Sequence, residues 1–544
     1  MKESVEANLS LRNYIGRDVT PAQIRRLFNT AEQEIRTGLE PFGYYNVQVS
    51  STLDTTDKGL TALFRVTPGE PVRVTSQKVE VRGDAALLDP VRRALRRFNP
   101  DEGEVFNHMV YEESKANIER TLLDQGFLRM QAKQHRVEVS RRENTASIDL
   151  QWDSGPRMKF GQVNFSEAQF PPEFLERYIP WEPGAYYSPD ELVAFQQRLV
   201  DADYFSTVSV QPDLKNADGV NVPIQVQLSP AKRTIYTAGA YISTDTGAGA
   251  KLGVSRRWLN SKGHKAQFDI DYAQRLQAYS ASYRIPLLGP NDRSLNFGIT
   301  HREEDTDTSQ SKNDRIVVNE SRKWHGFTRT IGVQYLAGTF KIGEEDRYTR
   351  LFFGEGTLTK KQADDFFFPR KGWSAGTAIR FAPEGLISDT SFSQMTLDGK
   401  YVLGLGRRTR FITRLSFGAM AVDDFNQLPP ELRFYAGGDR SIRGFDYQAL
   451  GSEDEDGDVI GGTYLAVGSL ELERYFWRDW GAALFVDAGD AWLKGDFSTN
   501  VGAGIGVRWR SPVGVVRVDF GYPIQSEVVT DKSVRFHISI GPDL

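Results

Sequence analysis

Phe434-Tyr435-Ala436-Gly437-Gly438, with Ser441-Ile442-Arg443-Gly444-Phe445-Asp446-Tyr447 just behind it, lies between two segments that alternate apolar and polar residues. An arginine beside a glycine in such a place reads as a structured loop that anchors its charge on a wall. From residue types alone, a solvated loop explains Arg443 equally well. The flanking alternation settles the larger question. Tyr464, Ala466, Gly468, Leu470 and Leu472 share one face, with Ser469, Glu471 and Glu473 on the other. Such period-two patterning is that of strands.

The same pattern extends in both directions from about Lys232 to the C-terminus. Phe268, Ile270 and Tyr272 alternate with Gln267, Asp269 and Asp271. Val516, Val518, Phe520 and Tyr522 oppose Arg517, Asp519 and Gly521. Val534, Phe536, Ile538 and Ile540 oppose Arg535, His537 and Ser539. One such strand also fits a soluble sandwich. Many in series, joined by turns such as Gly289-Pro290-Asn291-Asp292, favour a closed barrel with a polar lumen. Polar stretches such as Glu303–Asp314 and Glu453–Asp458 are expected as extracellular loops. At roughly 20 residues per strand and connection, 232–544 make about 16 strands.

Bulk composition agrees. No window approaches 18 consecutive apolar residues and the mean hydropathy is −0.45, which disfavours helical membrane spans but not a barrel. Net charge is −5, which gives no reason to invoke nucleic acid as a partner. The chain has no cysteine, compatible with an oxidising periplasm. Met1-Lys2-Glu3-Ser4-Val5-Glu6 has no apolar stretch behind it, so the sequence is read as starting after a secretion signal.

Before residue 230 one order of elements recurs three times: helical stretches, an aromatic, then two strands. The aromatic follows Ile24–Leu39 at Gly43-Tyr44-Tyr45, Val110–Gln125 at Gly126-Phe127, and Pro189–Ala202 at Tyr204-Phe205. The second and third units open with a strand, Val79–Val81 and Gly161–Phe165; the first lacks it. Units of this size suit a βααββ repeat, two helices on a three-stranded sheet.

With the repeats, the barrel and Phe434–Tyr447 in place, the chain resembles the family of POTRA-plus-barrel outer-membrane assembly factors, and within it the TamA branch. Phe368-Pro369-Arg370-Lys371-Gly372, Phe485-Val486-Asp487-Ala488-Gly489-Asp490-Ala491-Trp492 and Arg508-Trp509-Arg510-Ser511-Pro512-Val513-Gly514 carry the likeness further. The expected fold is three POTRA-like βααββ domains, at 1–74 (first strand missing), 75–157 and 158–231, followed by a 16-stranded antiparallel transmembrane β-barrel at 232–544. The resemblance implies that the loop carrying Arg443, Gly444 and Phe445 folds into the lumen. There Arg443 pairs with Asp487 of the Phe-x-Asp-x-Gly wall motif that ends in Gly489. It also implies a TamB-like inner-membrane-anchored periplasmic partner, unfolded outer-membrane clients such as autotransporters, and contact with outer-membrane lipids.

The barrel ends suggest how clients enter. The closing strand, Val534–Ile540, includes Phe536, Ile538 and Ser539 and is followed by Gly541-Pro542; proline cannot donate to a ladder. The opening strand, about Thr234–Ser243, carries Gly239. A short, weakly bonded seam between them is expected, similar to the lateral gate of the family. A strand of the client adds to its free edge.

Other motifs carry less. Gly372-Trp373-Ser374-Ala375-Gly376 matches the nucleophile pattern G-x-S-x-G, but Thr377–Phe381 behind it reads as strand rather than helix. Asp454-Glu455-Asp456-Gly457-Asp458 puts Thr463 where a calcium loop needs its bidentate Glu. The six histidines show no zinc spacing. No catalytic, metal or cofactor site is expected. Alternative readings are a BamA-type general insertase, a two-partner secretion translocator and, in another class, an outer-membrane barrel enzyme.

Overall fold

The computed structural model describes residues 1–544 except 18, 57–58, 167, 288–291, 366–367, 384, 386, 512–513, 527–528, 530–531 and 542–544. Pro542 and most of the turn Gly289–Asp292 therefore lie outside the described residues. Two compact units are present, residues 1–168 with 178–229, and residues 169–177 with 230–544.

In the first unit, α1 (Lys2–Asn8) and α2 (Pro21–Leu39) accompany a two-stranded sheet, β1 (Gln48–Thr56) and β2 (Gly59–Thr67). Next come β3 (Arg73–Arg82), α3 (Asp89–Arg96), α4 (His108–Asp124), β4 (Gln131–Ser140) and β5 (Thr145–Asp153). β3 runs parallel to the central β5, and β4 antiparallel to it. A parallel pair needs a crossover, and α3 and α4 supply it. The third round repeats the order with β6 (Lys159–Phe165), α5 (Pro172–Glu176), α6 (Pro189–Asp201), β7 (Phe205–Pro212) and β8 (Asn221–Pro230); β6 is parallel to β8. α5 groups with the second compact unit.

Two of the helices, α2 and α4, start on a side-chain cap. Thr20 caps α2 through Gln23 N–H, with Pro21 at the first helical position, and Asn107 caps α4 through the N–H groups of Met109 and Val110. Ile118 and Leu122 on α4 are fully buried with Phe127, Ile148, Leu150 and Trp152 from the strands and the aromatic turn. Leu122→Ala is expected to cost about 2–5 kcal/mol through the cavity it leaves. Urea unfolding of the N-terminal unit, followed by Trp152 fluorescence in a background without Trp181, the other tryptophan of that unit, measures it.

The second unit is a 16-stranded antiparallel barrel, nearly closed. Its strands are β9 (Thr234–Ser243), β10 (Gly247–Arg256), β11 (Lys265–Ala273), β12 (Leu276–Pro286), β13 (Ser294–Asp305), β14 (Ser309–Trp324), β15 (Phe327–Ile342), β16 (Glu345–Ala363), β17 (Lys371–Ala382), β18 (Phe392–Leu405), β19 (Thr409–Val422), β22 (Tyr464–Tyr475), β23 (Trp480–Trp492), β24 (Asn500–Ser511), β25 (Gly514–Gln525) and β26 (Arg535–Gly541). The small pair β20 (Ser452–Glu453) and β21 (Val459–Gly461) stands apart, inside the connection between β19 and β22. The alternation sorts as physics demands. Phe268, Tyr272, Ile299, Leu470, Leu472, Phe520 and Phe536 are exposed on the outer wall, where lipid covers them. Trp324, Phe476, Trp477, Trp480 and Trp509 sit at strand ends joined by the short turns of one rim, as an aromatic girdle does.

Two expectations need correcting. Glu303–Asp314 is not a loop: β13 runs to Asp305 and β14 restarts at Ser309, so these charges extend a paired hairpin. Their polarity reflects strands that reach past the hydrocarbon layer, which period alone does not exclude. Nor is the lumen uniformly polar. Leu336, Leu351, Phe353 and Phe392 of the wall pack with Leu428, Leu432, Phe434, Ile442, Phe445 and Leu450 of the β19–β22 connection, forming an apolar plug inside the cylinder. Gly372–Gly376 runs inside β17, not through the strand-to-helix turn a serine nucleophile needs.

Candidate functional site

The β19–β22 connection, residues 423–463, folds back into the lumen. Two bridges give it form: Phe434 pairs with Gly462, and Ala436 with Leu450. Between them the chain turns at Gly437, Gly438 and Gly444, all at positive φ. Gly444 shows why the position requires glycine: its φ is +100°, and a Cβ there would sit 3.0 Å from the Tyr522 carbonyl carbon. Gly489 is in β23 opposite Val467.

Arg443 projects from this loop onto the wall. Its Nε lies 2.8 Å from Asp487 Oδ2 and one terminal nitrogen 2.9 Å from Oδ1, a two-pronged fork; its backbone N–H donates to the same carboxylate at 3.0 Å. The other terminal nitrogen reaches Glu471 at 2.6 Å and Asp519 at 3.2 Å. The guanidinium carbon lies 3.6 Å from the Phe485 ring centroid. The planar fork and the stacking together are what lysine cannot supply.

The pair Arg443–Asp487 is one part of a larger array. Arg508 bonds Glu471 at 2.6 Å, Asp519 at 2.6 Å and Glu473 at 3.0 Å. Arg410 bonds Glu473 and donates to the Pro369 carbonyl at 2.9 Å, with its charge 3.8 Å from the Phe368 ring centroid. All these charged groups are buried. Buried charges persist only when each finds opposite charge and hydrogen bonds, so the array holds together as a unit. The β-register builds it: Ser469 faces Asp487, and Arg508 faces Arg517.

Alternation placed Glu471, Glu473, Asp519 and His537 on inward faces, but their partners were not legible, because pairing across strands depends on register. Arg508 stood in a recognised segment without a role, and Asp439 gave no signal at all. Asp439 and His537 lie near the barrel ends. The last strand, β26, is bonded along one side to β25, from Gly521–Arg535 to Val515–Gly541. β9 is bonded to β10. The sheet begins at β9 and ends at β26, with no ladder between them among the described residues. Phe536, Ile538, Ser539, Ile540 and Gly541 all belong to β26, Gly239 to β9, and Val534 precedes β26 by one residue. β26 has 7 residues and β9 has 10, against 16 and 19 in β15 and β16.

Residues 216–543 match the model of the Omp85 superfamily domain. The chain belongs to the Omp85 superfamily. Residues 1–68 match the first POTRA domain of TamA, and residues 158–229 the POTRA repeat model, "surface antigen variable number repeat". Among curated relatives, the outer membrane protein assembly factor BamA of Nitratidesulfovibrio vulgaris is 25% identical over 386 residues, covering 66% of this chain and 48% of that one. The sorting and assembly machinery component 50 homolog of Xenopus tropicalis is 25% identical over 51% of this chain and 62% of its own. The chain thus spans about half to two thirds of the length of these relatives. Among solved structures, BamA from Haemophilus ducreyi lacking POTRA domains 1–3 superposes with a TM-score of 0.72 at 17% identity, covering 86% of this chain and 99% of that one. CdiB from Acinetobacter baumannii gives 0.50 at 14% identity, over 87% and 90%. The barrel of this Omp85 protein lies in the outer membrane and its POTRA domains in the periplasm.

Proposed function

We propose that this Omp85 protein helps insert or secrete β-barrel clients, autotransporters among them, through a lateral gate between β9 and β26. The observation that carries this reading is the seam: β9 and β26 end the sheet side by side with no ladder between them among the described residues, and β26 is only 7 residues long. An unpaired strand edge is a template for another strand. A client strand adding there obtains main-chain hydrogen bonds before it meets lipid, where unsatisfied amides are costly. At ~3.3 Å per residue, β26 is ~23 Å long, shorter than the ~30 Å hydrocarbon layer, so the bilayer thins beside it and resists insertion less.

The apolar plug favours this lateral route over export through the lumen, which would first have to clear Phe434, Ile442 and Phe445. In this reading Arg443, Gly444, Phe445, Asp487 and Gly489 anchor the loop. Gly239, Val534, Phe536, Ile538, Ser539, Ile540, Gly541 and Pro542 form or flank the gate. The POTRA domains receive clients and a TamB-like partner anchored in the inner membrane.

Gly239→Cys with Ser539→Cys tests the gate, since no native thiol interferes. Oxidised, the pair is expected to stop assembly of an autotransporter client, and reductant is expected to restore it. A cross-linked protein that assembles clients as fast as the reduced one refutes the gate.

A further inference from the structure

The seam has no backbone ladder among the described residues, yet the two ends of the sheet stand together, so other bonds hold them. They come from the luminal loop. Asp439, buried in the lumen, accepts hydrogen bonds from Thr244 Oγ1 at 2.6 Å and Ser243 Oγ at 3.2 Å, both at the tip of the β9–β10 hairpin. The same carboxylate lies 2.8 Å from Nδ1 of His537 on β26. One side chain therefore touches both sides of the seam.

The surrounding bonds reinforce this geometry. Asp439 N–H donates to Asp245 Oδ1 at 3.3 Å, fixing the loop to the hairpin turn. His537 Nε2 accepts from Gly444 N–H at 3.0 Å. An imidazole that accepts at Nε2 carries its proton on Nδ1, so the neutral ring donates to Asp439 and both nitrogens are satisfied. Arg535, also on β26, bonds Asp446 of the loop at 3.1 Å. Asp439 stands only four positions before Arg443 in the chain, so the wall anchor and the seam bonds share one short, glycine-rich turn.

We propose that Asp439 is the latch of the seam, a positioning residue whose carboxylate ties the β9–β10 hairpin to β26 from inside the barrel. The latch rests on the gate reading only for its purpose; the closed seam it explains is a feature of the fold. Opening then requires Asp439 to release Thr244 and His537, and displacement of the loop does both at once.

The test reads seam width without any client. Spin labels on Ile242→Cys and Phe536→Cys, two exposed outer-wall positions across the seam, report the β9–β26 distance by pulsed electron resonance in lipid nanodiscs. Asp439→Ala is expected to raise the long-distance population about tenfold, the effect of losing two or three buried hydrogen bonds of which one or more is charged. Asp439→Asn keeps the acceptor oxygen and loses the charge, and is expected to fall between. His537→Ala in the Asp439→Ala background should widen the seam little further, because the two act through one contact. A distance distribution unchanged in heat-modifiable, folded Asp439→Ala overturns the latch. If that variant does not fold, an unchanged distribution in Asp439→Asn overturns it instead. Client assembly is scored separately: a loosened seam with unaltered assembly leaves the latch standing and removes the gate.

Discussion

Arg443→Ala is expected to abolish client assembly and release the luminal loop while the barrel wall persists. The substitution removes the cation that Asp487, Glu471 and Asp519 share, and Asp487 is wholly buried. Breaking one side of a buried pair typically costs about 3–5 kcal/mol, most of it from the charge left without a partner. The cost falls on the loop, because Arg508 still bridges Glu471, Glu473 and Asp519 within the wall. Protease cleavage within 434–450 in intact outer membranes reports loop release, and heat-modifiable migration on gels reports the wall. Arg443→Lys keeps the charge but loses the fork on Asp487 and the stacking on Phe485, so it should recover only part of the activity. Arg443→Ala combined with Asp487→Ala should cost less than the sum of the two. A protected loop and normal assembly in Arg443→Ala exclude the anchor role.

Much of this was legible in the sequence, for reasons that can be named. Period two in Tyr464–Leu472 and Val516–Tyr522 shows which residues meet lipid, because a strand in a membrane has a single apolar face. Repeats show themselves when an aromatic follows a helix at the same place each time, as Phe127 and Tyr204 do. The fork between Arg443 and Asp487 came from resemblance, not from residue chemistry, which left Arg443 ambiguous. Three things stayed hidden. Glu471, Asp519 and Arg508 joined the array through strand register, which alternation does not fix. The apolar plug escaped notice because Leu336, Leu351 and Phe353 face inward on strands whose other luminal residues, such as Gln334 and Glu355, are polar. Asp439 lay in a loop, where no periodicity exists to mark a buried carboxylate.

The close approach of loop to wall makes a second, sharper prediction at Gly521. This residue lies on the inner face of β25, opposite Gly504 of β24 and Arg535 of β26. A Cβ there would stand 2.5 Å from Gly444 N and 2.9 Å from Gly444 Cα. These are backbone atoms, so no side chain can swing aside. Gly521→Val must therefore push the loop off the wall, and it does so one residue from Arg443 and at the N–H that binds His537. Charge is untouched, so loss of function in this variant isolates the geometry of docking from the electrostatics of the array. Assembly is expected to fall as far as in Arg443→Ala, with loop cleavage rising to match, and Gly521→Ala is expected to show the same change to a smaller degree. Because the displaced turn also carries Asp439, the seam distance between Ile242 and Phe536 should lengthen in Gly521→Val without any change at the seam itself. If the loop is cleaved in Gly521→Val while that distance holds, loop docking and seam closure are independent, and the coupling of anchor to latch is wrong even if each contact matters alone.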